Sequence, residues 1–269
     1  MPPTLVFRDQ KLEFIVTEQQ GPIAFIKLNR PPVNAHHMPM LLDLERAILA
    51  VRFDPSVKVA IVTSNIPNYF SAGADIHVIR DDDPDQVGLL SQTSKEILQR
   101  MRTTAKIFIA GIDGHCMGGG LEIALACDYR FASNGPWQFG LPEVKLGVLP
   151  GEGGTQLLGR LIGQRITLHL SISGESFGVQ RAHELGIVDE VFTRDEYDAR
   201  LLEFANRIAH GPTKAIGFIK VVLNEGLDLP LQGGFALERE LQNQLLRTRD
   251  VREGVNAFLE RRTPSFIGE

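Results

Sequence analysis

Two short apolar runs, each leading into a turn of small residues, constrain this chain most. Val57-Lys58-Val59-Ala60-Ile61-Val62 is rich in β-branched residues and almost wholly apolar after Lys58; Ile107-Phe108-Ile109-Ala110-Gly111-Ile112 has no polar side chain. Runs of that length without polar alternation read as strands buried on both faces of a helix-covered sheet. The first is followed, after a short loop, by Tyr69-Phe70-Ser71-Ala72-Gly73-Ala74-Asp75-Ile76, and the second feeds Gly114-His115-Cys116-Met117-Gly118-Gly119-Gly120-Leu121-Glu122. Small residues let backbone amides approach a ligand, and amides that open a helix have no partner and favour negative charge. Two such junctions are what a two-donor oxyanion hole requires.

Carboxylates lie beside the second junction. Glu122 closes the glycine segment, and Phe139-Gly140-Leu141-Pro142-Glu143 brings another. Aimed at one place, the two glutamates are a proton donor and acceptor; taken singly, each also reads as a surface or capping carboxylate. A third, Glu152, sits in the glycine turn after Pro150 and reads as an exposed acid at a helix N-terminus, where the dipole favours it. Asp81-Asp82-Asp83-Pro84-Asp85 reads as a solvated loop, because consecutive aspartates cannot all face one ion.

Alternating strand-like and helix-like segments give an α/β organisation. Glu13–Val16 and Ile23–Leu28 read as paired strands across Gly21-Pro22, and Met40–Val51 as a helix with an apolar stripe of Leu41, Leu42, Leu44, Ile48 and Leu49. Gln86–Arg102 reads as another helix. Beyond Pro150 the pattern turns helical, with Asp195–His210, Thr213–Gly226 and Leu231–Leu246 amphipathic. At 269 residues, 43% hydrophobic and 23% charged, the chain can bury a full core. The simplest division is a core over 1–200 carrying the site and a helical region over 201–269. A formal net charge of -5 argues against general nucleic-acid binding. Cys116 and Cys127 read as small buried residues. No uncharged apolar stretch approaches the roughly 18 residues of a membrane span, and no basic-then-apolar leader opens the chain, so the expected compartment is the cytoplasm.

With Leu28-Asn29-Arg30-Pro31-Pro32-Val33-Asn34-Ala35, Gly147 to Gln156 and Ala257 to Phe266 added to the two glycine-bearing junctions, the chain resembles the crotonase superfamily over nearly its whole length, most closely its enoyl-CoA hydratases. The resemblance implies a repeated ββα spiral core and C-terminal helices that trimerise, often into a dimer of trimers, here a homotrimer or homohexamer. It implies an acyl-CoA thioester substrate hydrated from the trans-2-enoyl to the 3-hydroxyacyl form, with no cofactor beyond the coenzyme A of the substrate and no metal. The oxyanion donors would be the N–H groups of Ala74 and Gly119. Glu122 would act as base towards water, and Glu143 would supply the proton to the α-carbon. The adenine would lie beside the backbone of Ala72 and Ile76, with Phe258 and Arg261 covering the nucleotide; Arg261 and Arg262 also read as solvated tail charges. Other acyl-CoA chemistries of the scaffold (double-bond isomerase, decarboxylase, hydrolase) stay open, as does a non-catalytic acyl-CoA-binding protein. His36-His37 stands where relatives often carry an apolar residue and reads as a helix start or part of the CoA pocket, since adjacent histidines seldom reach one metal. The loop Asn134-Gly135-Pro136-Trp137 is about one residue longer than the resemblance implies, enough to shift Glu143.

Overall fold

Six strands make the larger of two sheets in the computed structural model, which describes residues 6–7, 10–81 and 83–269. Strands β1 (Ile15–Gln20) and β2 (Ile23–Leu28) pair antiparallel. Then β3 (Val59–Ser64), β5 (Ile107–Ile112), β7 (Tyr129–Ser133) and β10 (Glu190–Phe192) extend the sheet in parallel. Burial on both faces explains the unbroken apolar runs. Ala60, Val62, Phe108, Ala110 and Ile112 point to one side, into a core shared with helices α1 (Met38–Phe53), α3 (Pro84–Thr103) and α4 (Gly119–Ala126). Val59, Ile61, Ile107 and Ile109 point to the other, against Tyr197, Leu201 and Ala205 of α8 (Arg194–Ala209). Alternate side chains of a strand point to opposite faces, so one run feeds both cores. Each of the valine, isoleucine, leucine and phenylalanine side chains among these, fully buried, contributes about 1.5 to 3 kcal/mol relative to exposure.

A second sheet of short strands escaped the sequence reading. β4 (Asn68–Ser71), β6 (Gly114–Met117) and β8 (Gln138–Gly140) lie side by side in parallel, and β9 (Phe177–Gly178) pairs antiparallel with β8. The chain therefore visits the large sheet, then the small sheet, then a helix, three times over. β3–β4 leads to α2 (Ile76–Asp81) and α3, β5–β6 to α4, and β7–β8 to a 3-10 turn (Glu143–Leu146) and α5 (Gly154–Ile162). This is the expected ββα spiral. The glycine-rich turns follow the small-sheet strands, not the large-sheet strands directly. Strands of three or four residues are too short for a periodicity to show.

Past β8 come α6 (Gln164–Ser173) and α7 (Val179–Glu184), and after α8 the helices α9 (Thr213–Gly226), α10 (Leu231–Leu245) and α11 (Arg249–Glu260). Helix α8 runs through residue 200 with its buried face on the large sheet, and Ile216 of α9 packs against the same core. Leu227, Leu231, Phe235 and Phe258 then point outward. In the aspartate run, Asp81 ends α2, Asp82 lies outside the described residues, and Asp83 caps α3 by accepting the Asp85 N–H. No described helix is long and apolar enough to cross a membrane.

Candidate active site

Because β4 and β6 are parallel neighbours, their C-terminal ends bring both small-residue turns to one place, as parallel strands bring ligand-binding loops to one edge. A methyl group on Gly73 would lie 3.0 Å from the Gly119 nitrogen. The bonds His36 N–H to Gly73 O (2.7 Å) and Asp75 N–H to His36 O (2.8 Å) straddle Ala74 and leave its N–H uncommitted. Gly119 is the first residue of α4, so its N–H has no acceptor within the helix. Among the described residues, the backbone N–H groups of Ala74 and Gly119 therefore sit together without an acceptor.

Glu122 follows on the first turn of α4, and only 1% of it is exposed. Its Oε1 accepts the Gly154 N–H at 2.6 Å and the Glu152 N–H at 2.8 Å. Burial pushes its carboxyl well above the ordinary range and the charges of Glu152 and Glu143 add to the rise, against the opposing pull of the two N–H bonds. Glu143 opens the 3-10 turn after β8. Its Oε2 is buried without a partner, and burial, reinforced by the charge of Glu152, raises its carboxyl to about 7. The longer loop at Asn134–Trp137 does not displace Glu143 from the site: Trp137 folds inward and its indole N–H donates to Ser133. Gly118 makes the approach of Glu143 possible. It has φ 52°, and a Cβ there would lie 2.8 Å from Glu143 Oε1.

Glu152 overturns its sequence reading. It is 4% exposed, not a solvated helix-start acid, because its carboxylate is clamped from two elements. Ser94 Oγ of α3 donates to Oε2 at 2.7 Å, and His36 Nδ1 lies 3.3 and 3.4 Å from the two oxygens. Burial alone raises a carboxyl, but here the His36 charge and the bonds from His36 and Ser94 outweigh it and hold Glu152 below its ordinary range. The other His36 nitrogen, Nε2, lies 2.8 Å from Ser71 Oγ. The Ser71 hydroxyl also lies 2.7 Å from Asn34 O, to which it can donate, and so ties the ring to the backbone at Asn34. His36 is thus no helix start. His37 takes that position, at the N-cap of α1.

These groups surround one cavity of about 120 Å³. His36, Ala74, Gly119, Glu122, Glu143 and Glu152 form its polar side; Val78, Ile79, Val87, Leu90, Val148 and Leu149 form its apolar side. The four expected nucleotide contacts do not line it. Ala72 is exposed just after β4, Ile76 is 60% exposed at the start of α2, Phe258 is 83% exposed on α11, and Arg261 caps α11 with φ 56°. Arg262 is committed to Glu253 and Glu260. Among the described residues no three His, Cys, Asp or Glu side chains converge as a metal site. The sequence reading missed Ser94 altogether. Nothing local marks it, since its partner lies 58 positions away.

Residues 18–269 match the family model described as enoyl-CoA hydratase/isomerase. The chain belongs to that family, within the crotonase superfamily. It is 36% identical over 257 residues to the 2,3-dehydroadipyl-CoA hydratase of Escherichia coli K12, covering 95% of this chain and 99% of that protein. It is 31% identical to the crotonyl-CoA hydratase of Syntrophomonas wolfei, covering 96% and 99%. The solved enoyl-CoA hydratase of Geobacillus kaustophilus HTA426 superposes with a TM-score of 0.94 at 40% identity, over 97% of this chain and 98% of that one. With the spiral described above, these relatives make the protein a crotonase-fold enzyme of the acyl-CoA class.

Proposed function

We propose that the protein hydrates short trans-2-enoyl-CoA thioesters to 3-hydroxyacyl-CoA. The observation that carries this reading is two carboxyls of raised proton affinity facing the same cavity as two uncommitted backbone N–H groups. Glu122 takes a proton from water as the water oxygen bonds to the β-carbon. The alkene electron pair moves onto the thioester oxygen, where the Ala74 and Gly119 N–H groups meet the developing charge. The enolate then collapses and the α-carbon takes the Glu143 proton. The two steps need one acid and one base, and burial with nearby like charge raises the proton affinity of both carboxyls. Two N–H groups hold the ionised form of Glu122 in place, which suits it to receive the water proton.

The cavity also speaks to the substrate. Its volume of about 120 Å³ and its apolar side suit a short acyl chain. Among the described residues neither lysine nor arginine lines it, so an acyl chain ending in a carboxylate would be buried there without a counter-charge. The outward apolar residues of α9 to α11 fit self-association, in keeping with a homotrimer or dimer of trimers. Crotonyl-CoA and longer or branched enoyl-CoA esters, followed by loss of enoyl absorbance with and without a chelator, test the reading. Hydration of the short esters that survives chelation is expected, from a particle with three or six times the chain mass in light scattering. Turnover of a 3-enoyl ester in place of every 2-enoyl ester would make the protein an isomerase instead.

A further inference from the structure

The turn that holds Glu122 is Gly151-Glu152-Gly153-Gly154, and three of its four residues are glycine. Glycine gives a turn the most backbone freedom to lose, so this one has a single side chain with which to fix itself. That side chain points inward. It reaches Ser94 of α3 and His36, and His36 is itself fixed through Nε2 by Ser71 at the end of β4. The backbone of His36 meanwhile brackets Ala74 through the bonds to Gly73 and Asp75. One residue thus ties the oxyanion donor on one side of the cavity to the carboxylate holder on the other.

We propose that Glu152 and His36 are a positioning pair: their buried contact, completed by Ser94, fixes the 151–154 turn so that its two N–H groups hold one oxygen of Glu122 and leave the other for the reacting water. A buried ion pair is a weak source of stability, since apolar residues of the same volume often do as well or better. What it supplies here is geometry. A methyl on Gly119 would lie 2.8 Å from His36 Nδ1 and 2.9 Å from Glu152 Oε1, so the pair also packs directly beneath the second oxyanion donor. Neither residue is the acid or the base, because Glu152 is spoken for by His36 and Ser94 and neither is free to reach a reacting atom.

The inference rests on the hydratase reading, and the test separates the two. Glu152→Ala, Glu152→Gln and the double variant His36→Leu/Glu152→Ala are compared with the wild type for kcat, KM, melting temperature and the carboxyl titration of Glu122 by ¹³C NMR. Glu152→Ala should lose about 30- to 100-fold in kcat with KM within about threefold, the scale of a misplaced catalytic group. The double variant buries no unpaired charge and should recover most of the melting temperature while kcat stays low. Glu122 is faced by the Glu152 and Glu143 carboxylates, with Asp75 and His36 lining the same cavity, so Glu152→Gln should move its titration downward. A double variant with wild-type kcat, or a Glu122 titration unmoved in Glu152→Gln, overturns the proposal. A wild type without hydratase activity would sink the proposed reaction, while the titration would still report whether Glu152 governs Glu122.

Discussion

Two clusters of buried charge lie in this molecule, and they are built to opposite rules. Behind α4, Lys220 of α9 donates to Met101 O (2.7 Å), to Lys106 O (2.8 Å) and to Asp128 (2.8 Å), so its three hydrogens meet three acceptors. Asp128 in turn accepts the Phe108 N–H, and neighbouring Arg130 donates to Cys127 O and Ile187 O. Around the cavity the count is left open: among the described residues Glu143 Oε2 has no partner, and the Ala74 and Gly119 N–H groups have none. Buried polar groups are ordinarily satisfied, and each exception calls for a reason. The saturated cluster is a joint that locks α9 to the start of β5. The unsaturated one turns its groups to the cavity.

The largest effects should split along that line. Lys220→Met leaves Asp128 buried without its cation and should cost about 3 to 5 kcal/mol of stability, with turnover per folded molecule unchanged. Glu122→Gln keeps size and acceptor oxygen, so it should leave the melting temperature within a few degrees and lower turnover by about 100-fold or more. Urea unfolding and crotonyl-CoA turnover on both variants decide the matter. If Lys220→Met slows the folded enzyme as much as Glu122→Gln does, the division between joint and site is wrong.

The same contrast governs how much was legible in the sequence. The long elements announced themselves, because β3, β5, α8 and α9 are long enough for periodicity and burial to mark the residues; Ile107–Ile112 and Thr213–Gly226 have the same bounds in the fold. Ala74, Gly119, Glu122 and Glu143 were readable through their motifs, and the fold gathers them at one cavity. Satisfied partners were not readable. Glu152 read as an exposed acid because its two partners, His36 and Ser94, lie 116 and 58 positions away, and no local pattern joins residues that far apart. The Lys220–Asp128 joint was hidden for the same reason. The small sheet was missed because a strand of three residues has no period, although it is what aligns the two turns.

An effect of middle size should appear with pH. Burial raises Glu143 to about 7 from an ordinary 4.5, so the folded protein keeps a proton that the unfolded chain has already released. The stability this group adds is present below pH 4.5, falls as pH rises through that window, and is gone above about 7. In the mechanism Glu143 acts as acid, so kcat should also fall on the alkaline side, about tenfold per pH unit once its proton is lost. Glu143→Gln should abolish both trends, whereas Lys220→Met should leave the kcat profile in place. A wild-type kcat that stays level from pH 6 to 9 would remove Glu143 from the acid role.

The smallest effect tests whether the open space of the site belongs to chemistry more than to stability. In Gly118→Ala the new methyl enters 2.8 Å from Glu143 Oε1, at a residue with φ 52°. The backbone at 118, with φ 52° and ψ -130°, is one that L-residues hold only at a cost of about 1 to 3 kcal/mol. The steric clash adds little beyond that, because it falls on the free end of a side chain whose Oε2 has no bond to break. Stability should therefore drop by about that backbone cost alone. The carboxyl, however, must swing away from the cavity to admit the methyl, and a catalytic group displaced by a fraction of an ångström should slow turnover roughly tenfold. Urea midpoints and kcat for this variant, measured beside Glu143→Gln, show which link carries the effect. In the double variant Gly118→Ala/Glu143→Gln the added methyl should cost no further turnover, since the group it displaces has already lost its proton. If the methyl slows the Gln background tenfold again, its effect runs through the Gly119 N–H rather than Glu143, and the glycine at 118 serves the oxyanion hole.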